Sequence, residues 1–343
     1  MIDLWNYLKT TEKKIVLYGM GNGADKIIKV LEDYGVNISG VFATDGFVRD
    51  KIFHGFNLTT YKELKSKFGD MIVLLAFGST REEVFSNVQK IMSEQEFYAP
   101  DVPVYGHNLF NIEFARENAD KLRAVYNRLA DDLSRKTFEN TVLFKLTGDV
   151  KYLFGCQVDE DEPYNSFLSL SDNEIFADFG AYRGDTVEEF ISRVESYDKI
   201  FAVEPDVKTY NKLCRNIEGK ENIITVNAGV SDICGMGSFN MNSSRGSSVS
   251  DEGADIPLIT ADSLLSEGVT YIKMDIEGNE AAAIKGSKEV ILRYRPKMLI
   301  SCYHRSEDVF DLPLKVGEIR DDYKIYMRHF RSLPAWDTCY YFI

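Results

Sequence analysis

Two acids at the ends of consecutive apolar runs, with a glycine turn between them, suggest a site for a small cationic ligand. In FADFGAYRGDT (176–186), Asp178 ends a strand and Gly180 opens a tight turn. Gly184 then lets the backbone come close to a ligand before the helix DTVEEFISRV begins. Ala181 and Tyr182 lie inside the turn, and Asp185 and Thr186 start the helix. An acid directly before the turn suits an ammonium group better than a phosphate. S-adenosylmethionine carries an ammonium and a sulfonium and no phosphate. The next run, KIFAVEP, brings Glu204 and Pro205 to a strand end, where a carboxylate can accept from both hydroxyls of a ribose. NIITVNAGV adds Asn227 and Ala228, with the Asn227 amide placed to pair with an adenine edge.

A second constellation lies in YIKMDIEGNEAAAIKG, where Lys273, Asp275, Glu277 and Glu280 interrupt what is otherwise a buried strand and its exit. A parallel strand is normally apolar on both faces, so charges there need partners or a role. His304, in SCYHRSED, ends the following strand, where open sheets place ligands. His54, His107 and His329 default to structural or surface roles. No metal is expected: Asp275 and Glu277 have no further ligands at a recognisable spacing, and no HxH or HExxH cluster occurs.

The elements that must position these groups fall into three regions. Residues 1–106 alternate strands (KKIVLYG, ISGVFATD, MIVLLAFGS and VPVYG) with helices (ADKIIKVLEDYG, closed by Gly35, and REEVFSNVQKIMSEQ), a pattern of parallel strands covered by helices. This is a small Rossmann-like α/β domain. Its turn IVLYGMGNGAD matches GxGxxA through Gly19, Gly21 and Ala24, with Asp45 downstream, so a nucleotide or nucleotide-sugar is a candidate ligand there. Residues 107–170 form a helical connector, free of glycine and proline from Asn111 to Leu146. Residues 171–343 supply seven strands, EIFADFG, KIFAVEP, NIITVNAGV, YIKMDIEG, KMLISCYH, YKIYMRHF and TCYYFI. Five parallel strands followed by a terminal hairpin is the expected sheet. The serine-rich stretch SSRGSSVS (243–250) reads as a turn or lid able to meet a polyhydroxylated acceptor.

Composition narrows the classes. A net charge of -14 repels phosphate backbones, which speaks against a nucleic-acid partner. Five cysteines without a CxxC pair point to a reduced, cytoplasmic protein without structural zinc. The start MIDLWNYLKTTEKK lacks a signal-peptide core, and no apolar run approaches the roughly 18 residues of a membrane span. Nothing in the composition fixes an oligomeric state.

The runs DFGAYRGDT, FAVEP, NAGVSD, ITADSLL and IKMDIEGNEAAAIKG, in this order, resemble the FkbM family of S-adenosylmethionine-dependent methyltransferases. The resemblance continues through SCYHRSEDVFDLPL and YKIYMRHF, and LADDLSRKTFENTVLFKLTGD looks like the preamble of longer members. It implies a seven-stranded class I methyltransferase sheet and O-methylation of sugar or polyketide hydroxyls. By position, Asp178, Gly180, Gly184 and Glu204 would bind the cofactor; Tyr182 stands where the family most often has Asn. For a hydroxyl of a small-molecule or glycan acceptor, the expected base is His304, ordinarily near pKa 6.5. Asp275 would orient the acceptor or Lys273. Two other readings remain: an inactive methyltransferase-fold protein binding a nucleotide-sugar, and an NAD-dependent oxidoreductase using the first glycine turn. The presence of Asp178, Glu204 and Asp275 counts against the first, and the lack of a Tyr-Lys or His-Asp pair after the first domain against the second.

Overall fold

The computed structural model describes residues 2–44, 51–239 and 254–343; Asp45 and the SSRGSSVS stretch lie outside the described residues. In the first region, β1 (Lys14–Tyr18) and β2 (Gly40–Ala43) are buried along almost their whole length. A two-stranded ribbon, β3 (Ile52–Phe53) with β4 (Phe56–Asn57), precedes β5 (Thr59–Thr60), β6 (Met71–Leu75) and β7 (Glu96–Tyr98). The sheet order is β5-β2-β1-β6-β7, all parallel. Its continuous apolar runs are what strands covered on both faces require. The helix Asn22–Asp33 follows β1 and buries Ala24, Ile27, Ile28 and Leu31, spaced at three and four, against it.

One strand expectation is corrected. The fourth strand is not VPVYG but Glu96–Tyr98, which pairs with β6 from Ile72↔Glu96 to Leu74↔Tyr98. Pro103 has no amide hydrogen to donate to a ladder, and VPVYG instead runs on as the chain's exit toward the second sheet.

The second sheet contains β8 (Ile175–Phe179), β9 (Lys199–Val203) and β10 (Ile223–Val226). A separate three-stranded sheet follows, β11 (Gly229–Val230), β12 (Gly235–Phe239) and β13 (Ala254–Ile259). The main sheet then continues through β14 (Tyr271–Met274), β15 (Lys297–Ser301), β16 (Ile325–His329) and β17 (Thr338–Phe342). Its order is β10-β9-β8-β14-β15-β17-β16, with β17 antiparallel to both neighbours and the other pairs parallel. The expected five parallel strands and terminal hairpin are what is found. The strand order reverses between β8 and β14, which puts a switch point at their carboxyl ends, where open α/β sheets bind ligands.

The connector is helical at Ile112–Glu117, Ala119–Arg128 and Asp132–Thr147. It packs toward the second sheet: Phe110, Val125, Leu129, Phe138 and Leu146 join the core around Met274, Ile300 and Phe342. The first sheet's other face is closed by residues from elsewhere. Phe144, Val150 and Leu153 of the connector, and Leu333 and Ala335 of the hairpin loop, share a core with Val16, Val73 and Phe85. Ser79 and Leu333 exchange backbone hydrogen bonds of 2.8 and 3.1 Å, and the Trp336 ring lies against the backbone of Gly78. No helix among the described residues is long and apolar enough to cross a membrane.

Candidate active site

The turn after β8 is held by backbone. The amides of Gly180 and Ala181 both donate to the Val203 carbonyl, at 3.0 and 2.9 Å, and tie the turn to the end of β9. Gly180 has φ 84, and a Cβ there would lie 1.9 Å from the Asp275 carbonyl oxygen, so no other residue fits. Gly184, φ 90, starts the helix Asp185–Arg193 and abuts Leu213 and Ile217. Tyr182 is half exposed and sits at φ 48, the left-handed region that a bulky side chain rarely adopts. Ala181 is buried beneath it, while Asp185 is exposed and Thr186 half-buried on the first helical turn.

Glu204, at the end of β9, is the second wall. Only 7% exposed, it accepts from the Tyr182 amide at 3.0 Å and the Asp206 amide at 2.9 Å. Burial pushes its carboxyl up to about 7 despite those two donors. Among the described residues no cation pairs with it. Pro205 is half-buried beside it and Ala228 is buried.

Two residues expected to meet the cofactor have partners within the chain. The Asp178 carboxylate faces Lys273 rather than open space. It is fully buried, and its neighbour in register on β14 is Lys273, whose Nζ lies 3.2 Å from Oδ1. In-register residues of adjacent strands share a face, which is why they meet. Burial raises the Asp178 carboxyl. It also opposes the Lys273 charge, but Asp178 and Asp275 outweigh that and hold the ammonium up. Lys273 also donates to the Gly180 carbonyl at 3.2 Å, so the pair braces the turn from below. Asn227, in turn, spends its side-chain amide on the carbonyls of Glu204 and Pro205, at 2.8 and 3.1 Å. It fixes the Glu204 loop and has no amide hydrogens directed at an adenine edge.

Beyond β14 and β15 lies a compact polar cluster. Asp275, with a side chain one third exposed, accepts from the Tyr303 hydroxyl at 3.0 Å and faces His304 Nε2 at 3.4 Å. Burial works against its charge, but Lys273 and His304 keep the carboxyl below its ordinary value. The His304 side chain is only 2% exposed. Its Nδ1 lies 3.0 Å from Oε1 of Glu280, and Nε2 is 3.8 Å from Glu277. Burial disfavours the imidazolium, yet Glu280, Asp275 and Glu277 prevail and push the ring up to about 9. The expectation of a histidine near 6.5 is thereby corrected: the surrounding carboxylates raise this ring, which stands behind Asp275. Glu280 is fully buried at the start of the helix Glu280–Lys285, where the Ile276 amide also bonds to it at 2.9 Å. Asp308 is buried nearby, receives the Arg305 amide at 2.7 Å, and is pushed by burial up to about 8.

Sequence reasoning missed several members of this cluster. Glu280 is visible in the sequence only as one acid of a charged run, with no sign of its partner. Tyr303 and Asp308 flank His304 in SCYHRSED, and that adjacency was the available signal. Tyr105 gave none. Its amide donates to the His304 carbonyl at 2.9 Å, its ring lies edge-on to the imidazole at 6.2 Å, and it packs onto Gly278. The segment that leaves the first sheet thus lines the cluster at the second.

Residues 178–326 match the model of the methyltransferase FkbM domain. A crystal structure of methyltransferase FkbM from Methylobacillus flagellatus KT superposes with a TM-score of 0.75, at 22% identity, over 96% of this chain and 90% of that one. Two others are more distant. Aeropyrum pernix fibrillarin, in complex with S-adenosyl-L-methionine, has a TM-score of 0.34 at 14% identity over 51% of this chain and 69% of its own. A SAM-dependent methyltransferase from Aquifex aeolicus has 0.30 at 14% over 57% and 96%. No curated protein matches the chain by sequence.

Proposed function

We propose that this protein, whose residues 178–326 match the methyltransferase FkbM domain, is an S-adenosylmethionine-dependent O-methyltransferase acting on a hydroxyl of a sugar or glycan acceptor. The observation that carries the reading is Glu204: a buried carboxylate at the end of β9, beside the glycine turn, with backbone donors and, among the described residues, no cation on it. Such a group is stabilised by further donors, and a ribose diol supplies two. Gly180, Ala181, Tyr182 and Gly184 would follow the methionine end of the cofactor along the turn. The strained backbone of Tyr182 fits a residue held for function. When bound, the cofactor supplies an electrophilic methyl group on a sulfonium.

The chain's own part is to hold the acceptor in line and take up its proton, and positioning alone can supply several kcal/mol. Asp275 is a partly exposed acid at the exit of β14, held by Tyr303, and it is the group we assign to the acceptor hydroxyl. His304, enclosed behind it, positions Asp275 rather than meeting the acceptor. Lys273 and Asp178 keep the turn in place.

Domain boundaries at 106/107 and 170/171 belong to the same proposal, with the first domain shaping the acceptor side through Tyr105. A nucleotide or nucleotide-sugar at the first turn is a second, separate reading. It is favoured by Gly21, where nothing lies within 4 Å of the place a Cβ would occupy, next to the start of a long helix. Hydride transfer is not proposed, because the family match lies wholly in the other domain. The test is parallel calorimetric titration with S-adenosylmethionine, NAD and a nucleotide-sugar, followed by labelled-methyl transfer to a panel of glycans. Binding of NAD without S-adenosylmethionine would overturn the reading.

A further inference from the structure

Glycine-turn residues account for the cofactor side of the site, but not for the concentration of acids on the acceptor side. Asp275, Glu280 and His304 each bring a ligand atom to one place, and these atoms all lie within 4.8 Å of one another. Ligands around a divalent ion at about 2.0–2.6 Å from the metal occupy just such spacings. The three come from separate elements, the exit of β14, the helix Glu280–Lys285 and the segment after β15, so the convergence is tertiary and not a feature of a single charged run.

A second observation points to a ligand independently. Glu280 is fully buried, and its Oε2 has no hydrogen-bond partner among the described residues. His304 Nδ1, though 3.0 Å from Glu280 Oε1, makes no well-aligned hydrogen bond either. Groups enclosed this way cost free energy unless they are paired or coordinate a metal. Asp275 remains one third exposed, which leaves the cluster open on the side where an acceptor would arrive.

We propose that Asp275, Glu280 and His304 form a divalent-cation site at the acceptor side of the sheet. Two carboxylates and one imidazole suit an ion of the manganese, iron or zinc type better than calcium, which takes oxygen ligands alone. Two carboxylates also match the ion's charge, which the single imidazole does not require. An open coordination position would receive the acceptor hydroxyl and lower its pKa, so that its proton passes to the carboxylate oxygen of Asp275 left off the ion as the methyl–oxygen bond forms and the methyl–sulfur bond of the sulfonium breaks, leaving a neutral thioether. This use of the ion rests on the methyl-transfer reading; its binding does not.

The test therefore uses the metal alone. Chelator-treated full-length protein is titrated with Mn2+, without cofactor or acceptor, and bound ion is followed by electron paramagnetic resonance. One saturable ion per chain is expected, weakened about tenfold or more in both Glu280→Gln and Asp275→Asn. Asp322→Asn, in an exposed ion pair, should bind Mn2+ as the parent does. Affinity for S-adenosylmethionine, measured on the same samples, should be unchanged by Glu280→Gln. Binding weaker than about 1 mM, or unaltered in either variant, overturns the metal site. Should Glu280→Gln fail to fold, Asp275→Asn carries the decision, since its side chain is partly exposed. Lost cofactor binding with intact Mn2+ binding would instead strike the methyl-transfer reading and leave the ion site standing.

Discussion

Both of the larger sheets of this protein deliver a parallel strand into a glycine turn and then a helix, yet the two turns are built for different ends. At the first, a Cβ on Gly19 would strike the Phe77 ring at 2.4 Å, and one on Gly23 would strike the Ala76 carbonyl at 2.5 Å. Those glycines serve packing between the helix and β6. Among the described residues the strand ends around them carry no charge, with the Tyr18 and Thr44 hydroxyls bonded at 2.7 Å. At the second, Gly180 clears the backbone of Asp275, and the surrounding strand ends carry Asp178, Glu204, Lys273 and Asp275. A glycine fingerprint reports a tight turn. Charge on the neighbouring strand ends is what separates a ligand site from a packing solution.

The sharpest way to break this contrast is at the glycines themselves. Gly180→Ala combines a left-handed φ with a contact against fixed backbone, and should cost about 3 kcal/mol or more in a denaturant melt. Gly21→Ala has only the φ penalty, of about 1–3 kcal/mol, and should leave S-adenosylmethionine affinity unchanged. Equal stability of the Gly180 variant and its parent would refute the packing described at the second turn.

Glu204→Ala should weaken S-adenosylmethionine binding by about 2–4 kcal/mol in titration calorimetry, because a carboxylate accepting two hydroxyls is lost. Unchanged affinity would remove the ribose assignment. A pH series refines the same point. With its carboxyl held near 7, Glu204 is protonated below that value and loses acceptor capacity. Affinity should therefore fall as pH drops through 7, approaching about tenfold per unit, and Glu204→Gln should flatten the profile. Stability of the free protein moves the other way. A carboxyl raised above its unfolded value contributes stability that is complete below the unfolded pKa and lost as pH rises through about 7. Opposite slopes for binding and stability are the signature to look for.

The smallest expected effect is at Asn227. Removing its amide by Asn227→Ala deletes two hydrogen bonds to the Glu204 loop, a change of about 1 kcal/mol in stability with a similarly small loss of cofactor affinity. A loss as large as that of Glu204→Ala would restore the adenine contact expected from sequence.

Much of the architecture was legible because parallel strands buried on both faces write themselves as unbroken apolar runs. EIFADFG, KIFAVEP and YIKMDIEG became β8, β9 and β14 for that reason. VPVYG misled because strand-forming residue types do not reveal which run occupies a sheet edge, a matter decided by pairing with β6. At the site, the acids and glycines were visible one by one, but their partners were not. Asp178 meets Lys273 through strand register, and Glu280 meets His304 through a helix and a loop far apart in sequence. Such pairings set which carboxylate is spent on structure and which stays open. Periodicity carries no record of them.

The loop between β16 and β17 has a bearing on how the chain is made. Leu333 and Ala335 complete the core of the first sheet, and Trp336 covers Gly78. During synthesis the first domain emerges long before those residues leave the ribosome, and domains ordinarily close in order of emergence. Here the earliest sheet can be covered in part by its own helix and the connector, but the last of its cover waits for a segment made near the end of this sequence. Until then the nascent chain exposes the apolar surface that Leu333 and Ala335 later close.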